Sequence, residues 1–201
     1  ASTLQILLAP KGPSTHVTNP VTGEDYNDRN VGAGRVQLAW DPASNFRLDV
    51  AADYAEESSA LVLGQATNTL TTILGVPLLV IPTNGGPYNF EARPTTGLPN
   101  STHLEHGGMS VTAAWDINDL WTLRSITAYR DLENRDFIDI DATPLELGDV
   151  LVDVDQNQTS QEFQLNFDGE RLNLVSGIYY MRENIASHQE AYADDFVIGF
   201  L

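Results

Sequence analysis

A chain of 201 residues with 42% hydrophobic side chains holds enough apolar material for an ordered fold and excludes a wholly disordered one. Its 28 acids against 10 bases give a net charge of -18, and without clustered Lys and Arg a nucleic-acid partner is excluded. The lack of cysteine removes disulfides, thiolate zinc sites and cysteine nucleophiles, and the longest apolar stretch, residues 70–81, is too short for a membrane helix and is broken by Gly75 and Pro77.

Residues 1–16 match no clear pattern and are assigned no role. From Val31 an alternation sets in, with Val36, Leu38 and Trp40 on one side and Arg35, Gln37 and Ala39 on the other. After an Asp-led turn at 41–45, Phe46, Leu48, Val50, Ala52 and Tyr54 oppose Arg47, Asp49 and Asp53. Period two is the strand signature, and a helix would scatter those charges around its cylinder. Residues 58–102 then form a long excursion rich in Thr, Asn, Gly and Pro, with turn-prone residues 83–87 followed by Tyr88. Loops beyond ~15 residues are uncommon inside compact soluble domains but expected on the outer side of a barrel.

Alternation resumes through Met109, Val111, Ala113 and Trp115. A second Asp-led turn at 116–120 returns it through Trp121, Leu123, Ser125, Thr127 and Tyr129, opposed by Thr122, Arg124 and Arg130. Residues 131–155 hold nine acids against a single Arg135 and include a loop at 142–148, so the acids crowd the end opposite the tryptophans. Gln161, Phe163, Leu165 and Phe167 then oppose Glu162, Gln164 and Asn166, and Leu172, Leu174, Ser176, Ile178 and Tyr180 return after a turn at Asp168.

Tight turns at one end, long loops at the other and aromatic residues at the tight end predict an all-β fold. The expected architecture is an antiparallel up-and-down transmembrane β-barrel, here a partial barrel of about 6–8 strands with short periplasmic turns and long extracellular loops. Trp40, Trp115 and Trp121 are the expected membrane-interface anchors, because their amphipathic rings favour the boundary between lipid and water.

The segments Val17-Thr-Asn-Pro-Val-Thr-Gly-Glu-Asp25, Gly34-Arg-Val-Gln-Leu-Ala-Trp-Asp-Pro42 and Val50-Ala-Ala-Asp-Tyr54 carry a family likeness. So do Leu123-Arg-Ser-Ile-Thr-Ala-Tyr-Arg130, Thr159-Ser-Gln-Glu-Phe-Gln-Leu165 and Leu174-Val-Ser-Gly-Ile-Tyr-Tyr180. In this order and rhythm they resemble the barrel strands of TonB-dependent outer-membrane receptors. The resemblance implies a bacterial outer-membrane protein that imports a scarce nutrient, an iron–siderophore or similar complex, with energy relayed by TonB. Residues 1–201 are then expected to be barrel wall only, the plug that contacts TonB and the C-terminal strands lying outside them. Its implied partners are outer-membrane lipid, TonB and a small-molecule nutrient.

Candidate ligand contacts are Arg35, Arg47, Arg124 and Arg130 on the polar side of the strands, and His103 and Tyr88 toward the outer loops. The competing reading of the arginines is structural, as partners of Asp49, Asp53 and other wall carboxylates. His103, Glu105 and His106 lack the helical spacing of a zinc site, His106 facing away from the other two. Asp153, Asp155 and Asn157 echo the start of a calcium loop, but Gln158 and Gln164 stand where its Gly and Glu belong, so a solvated strand face is expected. Asn100 and Asn157 match the glycosylation pattern, which has no meaning in a bacterial outer membrane. No nucleophile elbow or phosphate loop appears, so no enzyme activity, metal or cofactor is expected. The alternative is a soluble, secreted β-sandwich that binds carbohydrate or protein, which would pack Val36, Leu38, Leu48, Val50, Leu123 and Leu165 inside.

Overall fold

Alternating runs become long strands in the computed structural model, which describes residues 2–9, 17–65, 72–73, 76–77, 88–94, 97 and 99–194. The strands are β1 (Ser2–Ala9), β2 (Val17–Thr18), β3 (Asp25–Tyr26), β4 (Val31–Ala43), β5 (Phe46–Ser59), β6 (Thr72–Ile73), β7 (Val76–Pro77), β8 (Thr102–Asn118), β9 (Trp121–Ile138), β10 (Asp149–Asp168) and β11 (Asn173–Tyr192). Seven of them form one sheet in the order β1-β4-β5-β8-β9-β10-β11, every neighbouring pair antiparallel. Spatial order follows chain order, so the sheet is an up-and-down meander. Among the described residues β1 and β11 are not paired with each other, and the sheet is an open portion of a barrel-like wall. No helix among them is long and apolar enough to cross a membrane.

Residues 1–16 were expected to carry no pattern, yet Ser2–Ala9 pairs along its whole length with β4, from Ser2 opposite Trp40 to Ala9 opposite Ala33. Leu4, Ile6 and Leu8 do alternate, but Leu7 and Ala9 place apolar groups on the second face too and blur the period. The tight turns fall where the Asp-led segments predicted them. At the second, Asn118 Oδ1 accepts the backbone N–H groups of Leu120 (3.0 Å) and Trp121 (3.1 Å), an Asx turn that reverses the chain. Register shifts at Trp40/Ala43 and Asp116/Asn118 place bulges at the same end of the sheet.

Among the described strands, those of the sheet contact no strand but their neighbours within it, so the sheet is a single layer. Its apolar face is uncovered, with Val36 and Leu38 each 40% exposed and Leu165 36%. The sandwich alternative, which buries those side chains beneath a second sheet, is therefore not favoured.

Buried hydrophobic residues gather instead at the long-loop end. Val17, Tyr26, Leu61, Leu63 and Ala92 form a small core against which Phe137 packs. Side-chain amides hold its segments together. Leu63 N donates to Asn27 Oδ1 (2.6 Å) while Asn27 Nδ2 donates to Leu63 O (3.1 Å), so one asparagine imitates a strand partner. Asn27 does this at φ 59°, a left-handed conformation that asparagine tolerates. Asn100 spans two more segments, accepting from Leu61 N (3.1 Å) and donating to Asp25 O (3.0 Å), which gives that amide a structural task.

The Tyr26 hydroxyl donates to Glu24 Oε2 (2.8 Å), and burial together with that carboxylate pushes its pKa up from 10.0 to about 12. A raised folded-state pKa means that the stability it contributes is complete below pH 10 and is lost as pH rises toward 12. The loop core is expected to loosen across that window, and Tyr26→Phe to flatten this part of the profile. Proteolytic susceptibility of residues 17–30, measured at intervals through alkaline pH, checks it; an unchanged slope in the variant would rule Tyr26 out as the cause.

Candidate functional site

Side chains alternate along a strand, so each row of paired residues belongs to one face. One apolar-face row runs Leu4, Leu38, Val50, Val111, Thr127, Gln161, Tyr180. On this face a tyrosine follows each turn exit by eight residues: Phe46 to Tyr54, Trp121 to Tyr129, Leu172 to Tyr180. The register staggers these units. Tyr54 pairs through Gly107 with Asp131, two residues beyond Tyr129, and Tyr129 pairs through Thr159 with Arg182, two residues beyond Tyr180. Each tyrosine thus lies two residues nearer the turns than the one before, over two strands.

At ~3.4 Å per residue and ~4.8 Å per strand that slope is about 35°, the tilt of strands in a barrel, so tilted strands would bring the tyrosines level. The tryptophans descend alike, Trp40 pairing through Leu48 with Ala113, two residues short of Trp115. Trp121 packs against Phe167 with ring centroids 4.8 Å apart. Trp121 and Tyr129 lie eight residues apart on β9. That separation is ~27 Å along the strand and ~22 Å in height at this tilt, near the ~25 Å of a barrel's apolar band.

Past the tyrosines the same face turns acidic. Glu56, Glu105, Glu133 and Asp155 form one continuous row across β5, β8, β9 and β10. Like charges directly opposite destabilise a sheet. Flanking groups relieve some of this, Arg135 Nη2 lying 2.7 Å from Asp153 Oδ2 and His103 Nε2 lying 3.6 Å from Glu105 Oε2. Glu133→Gln, between two other acids, is expected to stabilise the sheet by about 0.2–1 kcal/mol, and more at low salt. Urea unfolding at two ionic strengths tests this; a variant no more stable than the parent at low salt would mean that the row carries no strain.

The opposite face is polar. One row runs Leu7, Arg35, Asp53, Gly108, Arg130, Gln158, Glu183, and the next toward the loops runs Ala9, Ala33, Ala55, His106, Leu132, Gln156, Ile185. Arg130 Nη2 meets Asp53 Oδ2 at 2.6 Å, although β8 lies between their strands. Gly108 opens that path, since a Cβ there would stand 2.8 Å from Tyr129 O and 3.1 Å from Arg130 Cγ. Arg47 Nε pairs with Asp49 Oδ2 at 3.0 Å. Among the described residues neither Arg35 nor Arg124 is in an ion pair. A cavity of about 320 Å³ is lined by His106, Arg130, Asp131, Leu132, Gln156 and Gln158. Another of about 210 Å³ lies beside Leu7, Arg35, Asp53 and His106.

Of the expected ligand contacts, Arg35, Arg47, Arg124 and Arg130 share the polar face and fall in two rows, Arg35 with Arg130 through Asp53 and Gly108, and Arg47 with Arg124 through Ala114 nearer the turns. His103 lies on the other face, in the row of Ser58 and Arg135. Tyr88 is exposed among the loops, edge-on to Phe90 with ring centroids 4.8 Å apart. Two of the four arginines therefore have the structural carboxylate partners weighed from the sequence. Asp153, Asp155 and Asn157 lie along one face of β10, Asp153 held by Arg135 and Asn157 Oδ1 accepting from Asn184 Nδ2 (2.8 Å).

Sequence reading missed two features. The tyrosines belong to a repeat visible as a residue eight places after each turn. Oxygens of Asp139, Asp141 and Asp149 converge to within 4.8 Å of one another beside the loop core, a donor set of the kind hard cations take. Two of these also shape the loop, Asp139 Oδ1 accepting Ala142 N (2.8 Å) and Asp141 Oδ1 accepting Thr143 N (2.8 Å).

No family model matches the sequence and no curated protein matches it. In fold, the chain is similar to the crystal structure of the ferric yersiniabactin uptake receptor FyuA from Yersinia pestis, with a TM-score of 0.60 and 16% identity. The match covers 94% of this chain and 30% of that one, so the chain spans less than a third of that protein's length.

Proposed function

We propose that this chain is part of the barrel wall of an outer-membrane receptor that imports a scarce nutrient. The apolar face is the lipid-facing surface, the polar face lines the bore, the tight turns lie in the periplasm and the loop core stands outside the cell. The observation that carries the reading is the exposed apolar band on a single-layer meander, bounded by two parallel aromatic lines about one membrane thickness apart. Likeness of fold to an uptake receptor for a ferric siderophore supports it.

On this reading the protein binds and transports, with no chemical step on its cargo. The cargo is an iron–siderophore or similar complex, and TonB supplies the energy through a plug that would fill the bore. Arg35, Arg124 and Arg130 on the bore wall and Tyr88 in the outer loops are the residues assigned to ligand contact. His103 is assigned to the acidic outer collar instead, because its face is the lipid-facing one.

Fractionation of cells producing the full-length protein, followed by gel mobility with and without boiling, tests the location. Recovery in the outer-membrane fraction with a mobility shift on heating is the expected result. A protein that stays soluble without detergent and shows no shift ends this reading.

A further inference from the structure

Asp53 stands between two guanidinium groups and has chosen the farther one. Arg35 is its direct cross-strand neighbour on β4, while Arg130 reaches it from β9 across the gap at Gly108, at 2.6 Å. A carboxylate facing two arginines can pair with either, and the balance between them is set by whatever else binds one of the two.

The surroundings of Arg130 are built to offer that competitor. The cavity of about 320 Å³ beside it is bordered by His106, Asp131, Gln156 and Gln158, and the Asp131 carboxylate is held on the other face of the sheet, accepting from the Tyr129 hydroxyl (3.0 Å). Gln158 Nε2 contacts Met181 Sδ at 3.1 Å, and a thioether is a weak acceptor that leaves most of this donor's capacity unspent. Gln156 Nε2 donates to Glu183 Oε1 (2.6 Å), which holds the nearby acid to its own strand pair. An arginine, a histidine and an amide donor around one opening suit a carboxylate. On the other side of Asp53, the cavity of about 210 Å³ leaves room for the Arg35 side chain to swing.

We propose that the cavity beside Arg130 is a carboxylate-binding site, and that its occupation releases Asp53 to Arg35, so that one anion moves an ion pair across the sheet. The carboxylate belongs to a diffusible ligand or to another segment of the same protein lying against this face. The exchange rests on reading the polar face as the bore wall only for its biological setting, because the groups concerned all lie within the sheet.

The test is arginine labelling of the detergent-extracted, full-length protein with phenylglyoxal, rates being read at Arg35, Arg130 and Arg171 by peptide mass spectrometry. Sodium succinate is the probe, against sodium chloride at equal ionic strength, with Arg171 in the turn between β10 and β11 as the reference. With a diffusible carboxylate, Arg35 reacts fast in chloride and roughly tenfold more slowly in succinate, Arg171 is unchanged, and Asp53→Asn keeps Arg35 fast throughout. With a carboxylate from the protein itself, Arg35 and Arg130 are both slow from the start, succinate changes nothing, and Asp53→Asn frees Arg35 alone. In both cases Arg130→Gln imitates the occupied state and leaves Arg35 slow. An Arg35 rate indifferent to succinate, to Asp53→Asn and to Arg130→Gln overturns the proposal, as does a parallel slowing of Arg171. Heat-dependent mobility of the same preparation judges the membrane reading separately, and its loss would leave the labelling result standing.

Discussion

Val111→Arg is expected to cost about 2–4 kcal/mol of folding stability in lipid, because it sets a guanidinium on the lipid face near the middle of the apolar band. Val111 lies on β8 between Gly107, the partner of Tyr54, and Trp115, four residues from each, so the charge has no short route to either interface. The neighbouring Ser110→Arg is the control. Ser110 is on the polar face, opposite Ala51 and Ala128, and the same guanidinium there meets water and is expected to change stability by less than about 0.5 kcal/mol. Denaturant unfolding of the full-length protein in phospholipid vesicles measures both. Equal costs would mean that the two faces see the same solvent, and the membrane assignment would fall.

Leu61→Ala is the second large effect, expected to cost about 2–5 kcal/mol locally. Leu61 is 1% exposed, in a core of five buried hydrophobic residues among those described, so the small cluster has little with which to fill the space it leaves. Among the described residues Phe137 of β9 is the hydrophobic side chain of the seven-stranded sheet that packs on this core, and the loss should therefore stay at the loop end. Hydrogen exchange is expected to quicken at the N–H groups of Asn27 and Ala92, which donate to Leu61 O and Thr18 O, while those in the middle of β9 stay protected. Uniform acceleration over the sheet would show instead that the loop core and the wall unfold as one unit.

The parts of this architecture legible in the sequence are those governed by local rules. Period two marked β4, β5, β8, β9, β10 and β11, and Asp-led turns marked where they reverse. Alternation also sorted Arg35, Arg47, Arg124 and Arg130 onto one face without saying which face is wet, since that depends on what covers it. The loop core was not legible. Its key contact joins Asn27 to Leu63, thirty-six residues away, through an amide whose pairing no periodicity announces. Asp139 and Asp149 meet only because a loop folds back between them, and the link from Arg130 to Asp53 depends on the absence of a side chain at Gly108, in a strand that lies elsewhere in the chain. The first two depend on how loops fold back and the third on register, which is fixed by pairing rather than by any single strand.

The regular stagger of the hairpins bears on how such a wall can close and grow. A descent of one residue per strand means that a circuit of n strands returns displaced by n residues, so shear equals strand number, as in barrels whose strands tilt by ~36°. Tilt then does not depend on how many strands complete the circle. Because each hairpin contributes a displacement of two residues, and side chains repeat every two, a hairpin added or removed leaves every inward and outward position where it was. A wall of this kind can change its circumference one hairpin at a time while its aromatic lines stay level.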